Sequence, residues 1–411
     1  MFRWILFIVI FLVADFYAFQ AFRTVTKNNI LHILYWLITL SVLGNFVYQF
    51  YGFSRSDGFS HTHGYAVGAL IAVMVPFIFL VGMMFLEDVF RVPQAIYRYF
   101  TVGEAAKGDY FASRRQFISK LALGIAAIPF ASIVYGIIKG RYNYKVLKYT
   151  MYYEDLPEAF DGYKLTQISD IHSGSFDDID KVEYAVDLIN EQASDVILFT
   201  GDMVNNKAEE LLPYKSVFGK LKAKDGLYSI LGNHDYGDYV NWPSGAAKKQ
   251  NLENLKTIQK EIGFNMLLND TKFLEKNGER IALVGVENWG VGGFKQAGDL
   301  KKAARNVQAN DFKILMSHDP THWEKQVVQD DYHYHLTLSG HTHGMQFGIE
   351  IPGWFRWSPS KWRYKHWAGI YENKGQFINV NRGFGYLAFP GRVGIWPEIT
   401  VIELKKGIAP A

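Results

Sequence analysis

Four stretches of apolar residues, near 2–22, 30–52, 65–87 and 118–138, constrain this chain more than any other feature. Each is close to the ~20 residues that a helix needs to cross a bilayer. Four such stretches in a row would overfill the core of a soluble domain. The sequence therefore predicts a four-helix transmembrane region over residues 1–140. The first stretch is too long, and is followed by too many others, to be a cleaved signal peptide. Tyr and Trp gather near several of the ends, as interfacial aromatics do. Mean hydropathy of the whole chain is near zero because residues 141–411 read as an ordinary soluble domain.

Lys and Arg in the connecting loops set the expected orientation. Arg23 and Lys27 follow the first stretch, and only Arg55 follows the second. Arg91, Arg98, Lys107, Arg114 and Arg115 follow the third. The first and third loops are therefore expected in the cytoplasm. An even number of spans then places the N-terminus and everything after residue 140 outside. Arg3 and the basic run KGRYNYKVLK pull mildly the other way, but long domains are translocated largely regardless of charge. The run SRRQFISKLALGIAAIPFA, from Ser113, is similar to a twin-arginine export signal. An ordinary anchor with a chance Arg pair explains it equally well, and both readings put the soluble region outside.

The 411 residues include no Cys, which excludes disulfides, thiolate chemistry, Fe–S clusters and zinc knuckles. Any metal must then be held by His, Asp, Glu or Asn. A net charge of +3 is too small to argue for a nucleic-acid partner.

From about residue 145 strand and helix alternate. YKLTQISD, DVILFTGD, GLYSILGNHD, FKILMS and HLTLSG read as short strands. DIDKVEYAVDLINEQ places Val182, Ala185, Val186 and Ile189 on one helical face. AEELLPYKSVFGKLK reads as a helix broken near Pro213, and AAKKQNLENLKTIQKEIG as one that ends at Gly263. TKFLEKNGERIALVGVEN reads as a hairpin turning at Asn277-Gly278. Short helices come next near 298–307 and 320–328, and the tail returns to strand at GQFINVN and PEITVIELK. The pattern predicts an α/β fold of two packed sheets with helices outside.

Chemistry shows at the end of each strand. QISDIH ends in Asp170 and His172, LFTGD in Asp202, and SILGNHD in Asn233, His234 and Asp235. ILMSH ends in His318, and LSGHTH in His341 and His343. Carboxyl ends of strands form the site crevice of α/β sheets, so these segments can meet at one place. Two Asp, one Asn and four His of these residues make an oxygen and nitrogen donor set that suits Mn, Fe or Zn. Seven ligands are too many for one ion and suit two.

These blocks, D-x-H, G-D, G-N-H-D, H and G-H-x-H in that order, resemble the signature of the calcineurin-like metallophosphoesterase superfamily over about residues 160–345. The tail NRGFGYLAFPGRVGIWPEITVIEL resembles a bacterial branch whose catalytic domain follows membrane anchors or an export signal. The resemblance implies a two-sheet α-β-β-α sandwich over residues 141–411. It implies that Asp170, His172 and His343 hold one metal, that Asn233, His318 and His341 hold a second, and that Asp202 bridges them. It further implies that His234 faces the scissile phosphate as general acid or electrostatic clamp, oriented by Asp235. The implied reaction is attack on phosphorus by a hydroxide that bridges the two ions. Two positions depart from the pattern: Asn205 stands in GDMVN where protein phosphatases carry a second Asp, and GMQ replaces Gly-Gly after the last His. The first departure argues against a protein phosphatase.

His322, His333, His335 and His366 fall outside the signature and are expected to be ordinary packing or surface residues. GFGYLA, from Gly383, is followed by Pro390 and strand rather than a helix, so it is no dinucleotide fingerprint. No G-x-x-x-x-G-K-[ST] loop is present. PGWFRWSPSKWRYKHWAG, rich in Trp and basic residues, reads either as a loop packed on the core or as a membrane-interface patch. Arg392 reads as either structural or able to reach a phosphate. HTHG occurs twice, and the copy at His61–Gly64 has no carboxylates around it, so it is expected to bind no metal. The expected function is a membrane-anchored phosphoesterase, its catalytic domain outside the cytoplasm, acting on a phosphate or pyrophosphate ester that is lipid-linked or near the membrane. The alternatives are a phosphodiesterase or monoesterase on soluble substrates, and a non-enzymatic membrane sensor or scaffold.

Overall fold

The structure, a computed structural model, describes residues 2–54, 58–102, 110–351 and 353–410. The chain divides into two compact units, Met1–Phe53 with Thr62–Ile138, and Ser54–His61 with Lys139–Ala411.

The first unit contains helices α1 (Phe2–Val25), α2 (Asn29–Tyr51), α3 (His61–Val102) and α4 (Tyr110–Ile138). All four are long and apolar enough to cross a membrane. The Asn28 side chain starts α2 by accepting from the Ile30 amide. Val13, Phe16, Ile30 and Leu37 point outward, uncovered, on a surface that hydrocarbon solvates better than water does. α3 is 42 residues long, about twice the length that a bilayer core requires. Arg91 and Arg98, expected in a loop, therefore lie on a continuing helix. Pro93 removes one backbone donor without ending it, and no Gly follows before Val102. Lys107 lies outside the described residues. The Arg115 guanidinium meets Glu87 at 2.9 Å and Asp88 at 2.6 Å, and Asp88 also accepts from the Tyr17 hydroxyl at 2.6 Å. One member of the Arg pair thus ties α4 to α3, and through Asp88 to α1.

The second unit is built on two mixed six-stranded sheets. One contains β1 (Lys145–Tyr153), β2 (Tyr163–Ile168), β3 (Val196–Phe199), β4 (Leu227–Ser229), β5 (Phe264–Met266) and β14 (Glu398–Lys406), in the order β1-β14-β2-β3-β4-β5. The other contains β6 (Asp270–Lys276), β7 (Glu279–Gly285), β8 (Phe312–Met316), β9 (Leu336–Ser339), β12 (Gly369–Asn373) and β13 (Gln376–Val380), in the order β12-β13-β9-β8-β7-β6. A small hairpin, β10 (Ile349–Ile351) with β11 (Phe355–Trp357), stands apart. Leu165, Val196, Leu198 and Ile230 of the first sheet and its strand ends pack on Leu283, Ile314, Met316 and Leu338 of the second, filling the space between the sheets. Helices α5 (Ile179–Asn190), α6 (Lys215–Phe218) and α7 (Gly245–Ile262) cover the outer face of the first sheet. Helices α8 (Leu300–Ala303) and α9 (Pro320–Lys325) cover that of the second. The result is the α-β-β-α sandwich. Val182, Ala185, Val186 and Ile189 form the buried face of α5. Asn277 and Gly278, both at positive φ, turn β6 into β7. The helix expected over 298–307 shrinks to α8, which Asp299 caps through the Lys302 amide.

Candidate metal centre

β2, β3 and β4 are parallel neighbours in one sheet, and β8 and β9 are parallel neighbours in the other. Their carboxyl ends therefore open toward the same edge of the sandwich, and each strand hands its polar residues to it. Asp170, His172, Asp202, His341 and His343 all have left-handed backbone, with φ from 49° to 73°. A side-chain-bearing residue held there costs roughly 1–3 kcal/mol, so the surroundings must impose it. The Asp170 amide donates to Gly201 O at 2.9 Å, the His172 amide to Asp202 O at 3.1 Å, and the Gly385 amide to Asp170 O at 2.8 Å. The turn glycines leave no room for side chains. A Cβ on Gly232 would land on the Asp202 carboxylate, and one on Gly340 would land on Ser169 Oγ and Asp170 Oδ2.

Two groups of potential ligand atoms result, Asp170 with His172 and His343, and Asp202 with His318 and His341. In the first, His172 Nε2 lies 3.0 Å from His343 Nε2, and His343 Nε2 lies 3.2 Å from Asp170 Oδ1. Two imidazole lone pairs at that distance repel unless a proton or a cation stands between them. In the second, His318 Nε2 lies 3.2 Å from Asp202 Oδ2, and Asn233 Oδ1 lies 2.8 Å from His341 Nδ1 and 3.1 Å from His318 Nε2. Asp202 Oδ2 is also 3.6 Å from His172 Nε2, so one oxygen faces both groups, while Oδ1 accepts from the His234 amide at 2.8 Å. This donor set fits a pair of borderline divalent cations.

Outer contacts fix the direction of each candidate ligand. His318 Nδ1 donates to Thr200 O at 2.8 Å, which leaves Nε2 to the site. His341 turns Nε2 to Tyr364 Oη at 2.8 Å and Asp319 Oδ2 at 3.4 Å, which leaves Nδ1 inward. The Asn233 amide donates to Tyr239 Oη at 2.7 Å, which aims its oxygen inward. Burial lowers the proton affinity of His318, but the Asp202 carboxylate outweighs it and holds the pKa up at about 10. Burial pushes the Asp170 and Asp202 carboxyls up, yet the imidazoles beside them, His343 and His318 respectively, hold both below the usual range.

His234 is half-buried beside both groups, its ring 4.9 Å from that of His172 and 4.3 Å from that of Tyr239. Its Nδ1 donates to the backbone oxygen of Asn205 at 2.8 Å. The Asn205 side chain pairs with Ser175 instead, so His234 meets residue 205 through its backbone oxygen. Burial lowers the His234 pKa, against the pull of Asp202. Asp235, expected to orient His234, turns away from the ring. Its carboxylate accepts from the amides of Asp202 at 2.9 Å, Met203 at 2.8 Å and Gly232 at 2.9 Å. The turn over His234–Tyr236 aims consecutive side chains in different directions, and Asp235 thereby ties the β3 and β4 end loops together. Burial and the Asp202 charge push its carboxyl up to about 7.

Arg392 is fully buried, donating to Gly385 O and Arg382 O with Nη2 3.2 Å from His343 Nδ1, so it is structural. Met345 is 44% exposed beside His343. His322, His335 and His366 are buried and His333 is exposed. In the first HTHG, His63 donates to Gln49 O at 3.1 Å and its ring packs on Phe50 and Phe53. Neither His61 nor His63 joins a ligand group among the described residues. Sequence reading missed Asp319, Tyr239 and Tyr364. Asp319 was within reach, because Asp-Pro after His318 is a helix cap, and the same carboxylate backs His341. The two tyrosines carry no local signal.

Residues 163–345 match a family model described as calcineurin-like phosphoesterase. Residues 2–141 match one described as probable calcineurin-like phosphoesterase, transmembrane domain. The chain is 29% identical to the uncharacterized metallophosphoesterase YkuE of Bacillus subtilis (strain 168), over 71% of this chain and 98% of that one. It is 30% identical to the transmembrane protein with metallophosphoesterase domain of Danio rerio, over 70% of this chain and 62% of that one. The chain belongs to the calcineurin-like metallophosphoesterase family, and ahead of that domain it carries the four-helix membrane region that has a family model of its own.

Proposed function

We propose that residues 141–411 form a metal-dependent phosphoesterase anchored in the cell membrane by residues 1–140, acting on a phosphate or pyrophosphate ester that is lipid-linked or near the membrane surface. The observation that carries this reading is the single carboxylate oxygen, Asp202 Oδ2, that faces both ligand groups. Asp170, His172 and His343 would hold one divalent ion, Asn233, His318 and His341 the second, and Asp202 both. The chemistry that a pair of Mn, Fe or Zn ions supplies in such a site is acidification of water and neutralisation of phosphoryl charge. His234 has its Nδ1 proton committed to Asn205 O. The ring is therefore fixed, and Nε2 is the atom that, in the imidazolium form, would donate its proton to the leaving oxygen. Asp235 acts as a positioning residue that holds the Asp202 backbone in its left-handed conformation.

The β10–β11 hairpin and the turn Pro359–Trp362 that follows it support the lipid reading. Trp354 is 81% exposed and Trp362 is 76% exposed, with Arg356, Lys361, Arg363 and Lys365 around them. Trp favours the headgroup level of a membrane, and Lys and Arg favour anionic lipid. Arg382, paired with both Glu350 on β10 and Glu398 on β14, locks the hairpin to the core. The full-length protein in mixed micelles, given a lipid phosphodiester and a water-soluble one, tests the idea. Replacing Trp354 and Trp362 together by Ala should lower kcat/KM on the lipid about tenfold more than on the soluble ester, roughly 1.4 kcal/mol. Equal losses would favour soluble substrates. The excess of Lys and Arg expected on the cytoplasmic side supports an outward-facing catalytic domain. An alkaline phosphatase fusion at the C-terminus should then be active, and an inactive fusion beside an active cytoplasmic reporter would reverse the orientation.

A further inference from the structure

The first unit holds a carboxylate that no neighbour neutralises. Asp15 sits near the middle of α1, about 20 Å from its start and about 15 Å from its end at ~1.5 Å per residue. Both distances place it inside a hydrocarbon core about 30 Å thick. Asp15 is fully buried, and neither of its carboxylate oxygens has a hydrogen-bond partner. Phe11 and Ala18, one turn to either side of it, belong to a buried apolar cluster with Phe77, Met84 and Ala122 of α3 and α4. Ionisable side chains inside a membrane are rare, and they pair with one another or mark a path for ions. The pairs in this unit lie elsewhere: Arg91 and Arg115 both serve Glu87 and Asp88. No charged side chain acts on Asp15 among the described residues.

Two hydroxyls of α2 face it instead, those of Tyr35 and Thr39, and Tyr35 is the one titratable group beside it among the described residues. Tyr35 donates to the Asp15 backbone oxygen at 3.2 Å, and Thr39 turns to Trp36 O at 3.5 Å. Both hydroxyl oxygens are left as acceptors. An ionised Asp15 would be one more acceptor among them, in an interior where an unpaired charge is costly. A protonated Asp15 is neutral and brings a donor to oxygens that lack one. A proton needs no further ligand, whereas a hard metal cation needs a shell of oxygens. The same side chains close the seam between α1 and α2. Tyr35 packs on Phe19 and Phe22 with ring centres 5.2 and 5.5 Å apart, and Trp36 packs on Phe19 at 5.1 Å. A charge left on Asp15 lies beside that seam.

We propose that Asp15 is an intramembrane proton-binding site, whose neutral form keeps α1 and α2 packed and whose ionised form loosens them. The test uses the full-length protein in phosphatidylethanolamine–phosphatidylglycerol vesicles, beside Asp15→Asn, which keeps the shape of the side chain and is neutral at every pH. The infrared difference spectrum between the two should contain a carboxylic-acid carbonyl band at neutral pH, and the band should give way to carboxylate as the pH is raised. N,N′-Dicyclohexylcarbodiimide gives a second reading. It adds the O–H of a protonated carboxyl across one of its C=N bonds, and the adduct rearranges to a stable N-acylurea that mass spectrometry locates. Labelling of Asp15 should slow about tenfold per pH unit once the infrared band is being lost. Over the same range the thermal midpoint of the wild type should fall relative to that of Asp15→Asn, because ionisation puts a charge into the buried site. A carboxylate at Asp15 at neutral pH, in NaCl or in choline chloride, would overturn the assignment. A band that NaCl removes and choline chloride does not would make the ligand a metal cation and overturn it too. Midpoints that run parallel while the band is lost would overturn the coupling to helix packing.

Discussion

Asp202→Asn is expected to lower phosphodiester hydrolysis by more than the ~10²–10⁴-fold that loss of a proton-transfer group costs, and to remove most of the bound divalent metal. The reason is the division of labour between its two oxygens. Oδ1 accepts from the His234 amide, and Oδ2 faces His172 and His318. An amide of the same shape can keep the first contact with its oxygen. Its NH₂ group then points into both ligand groups, where it offers donors and no charge. The Asp235 contacts that hold the loop do not involve the Asp202 side chain. The fold should therefore survive, with a thermal midpoint near that of the wild type. Metal content and turnover measured on one sample distinguish this from unfolding. A variant that keeps both its metal and its rate would show that Asp202 does not serve both groups.

His234→Ala carries the second large effect, and its signature is opposite in one respect. Turnover should fall by ~10²–10⁴-fold while the metal stays bound. The ring reaches the site as a neighbour of His172, not as a member of either ligand group. The loss should depend on the leaving group. With p-nitrophenolate, a good leaving group, little protonation is needed and the loss is smaller; with an alkyl ester it is larger. Stopped assays on bis(p-nitrophenyl) phosphate and on an alkyl phosphodiester give the two ratios. Equal losses would assign His234 to charge stabilisation rather than proton donation, and loss of metal would make it a ligand.

Much of the sandwich was legible because its signals are local. Val182, Ala185, Val186 and Ile189 recur with helical period, and Asn277-Gly278 can only turn. The convergence of the candidate residues was legible for a related reason. These residues follow apolar strands directly, and parallel pairing of β2 with β3, of β3 with β4, and of β8 with β9 carries those strand ends to one edge. What escaped depends on distant partners. β1 reads KVLKYTMYY, with Lys and Tyr at mixed burial, and it is a strand because it pairs in parallel with β14 at the far end of the chain. The resemblance implied that Asp235 orients His234, yet the turn directs the two side chains to different tasks. Tyr239 and Tyr364 orient Asn233 and His341 from loops without any pattern. The length of α3 was hidden because hydropathy marks the part that suits a bilayer, not where the helix stops.

The claim that two metal ions in this site drive phosphoester hydrolysis is tested most directly by one measurement on the full-length protein, purified in detergent without chelator. Divalent metal per chain is read by inductively coupled plasma mass spectrometry, with hydrolysis of bis(p-nitrophenyl) phosphate followed on the same sample. The expected result is about two ions per chain, with hydrolysis that chelation abolishes and added Mn²⁺ restores. Folded protein that binds no divalent metal, or that is fully loaded and hydrolyses no phosphoester, would contradict the account and point to a membrane sensor or scaffold instead.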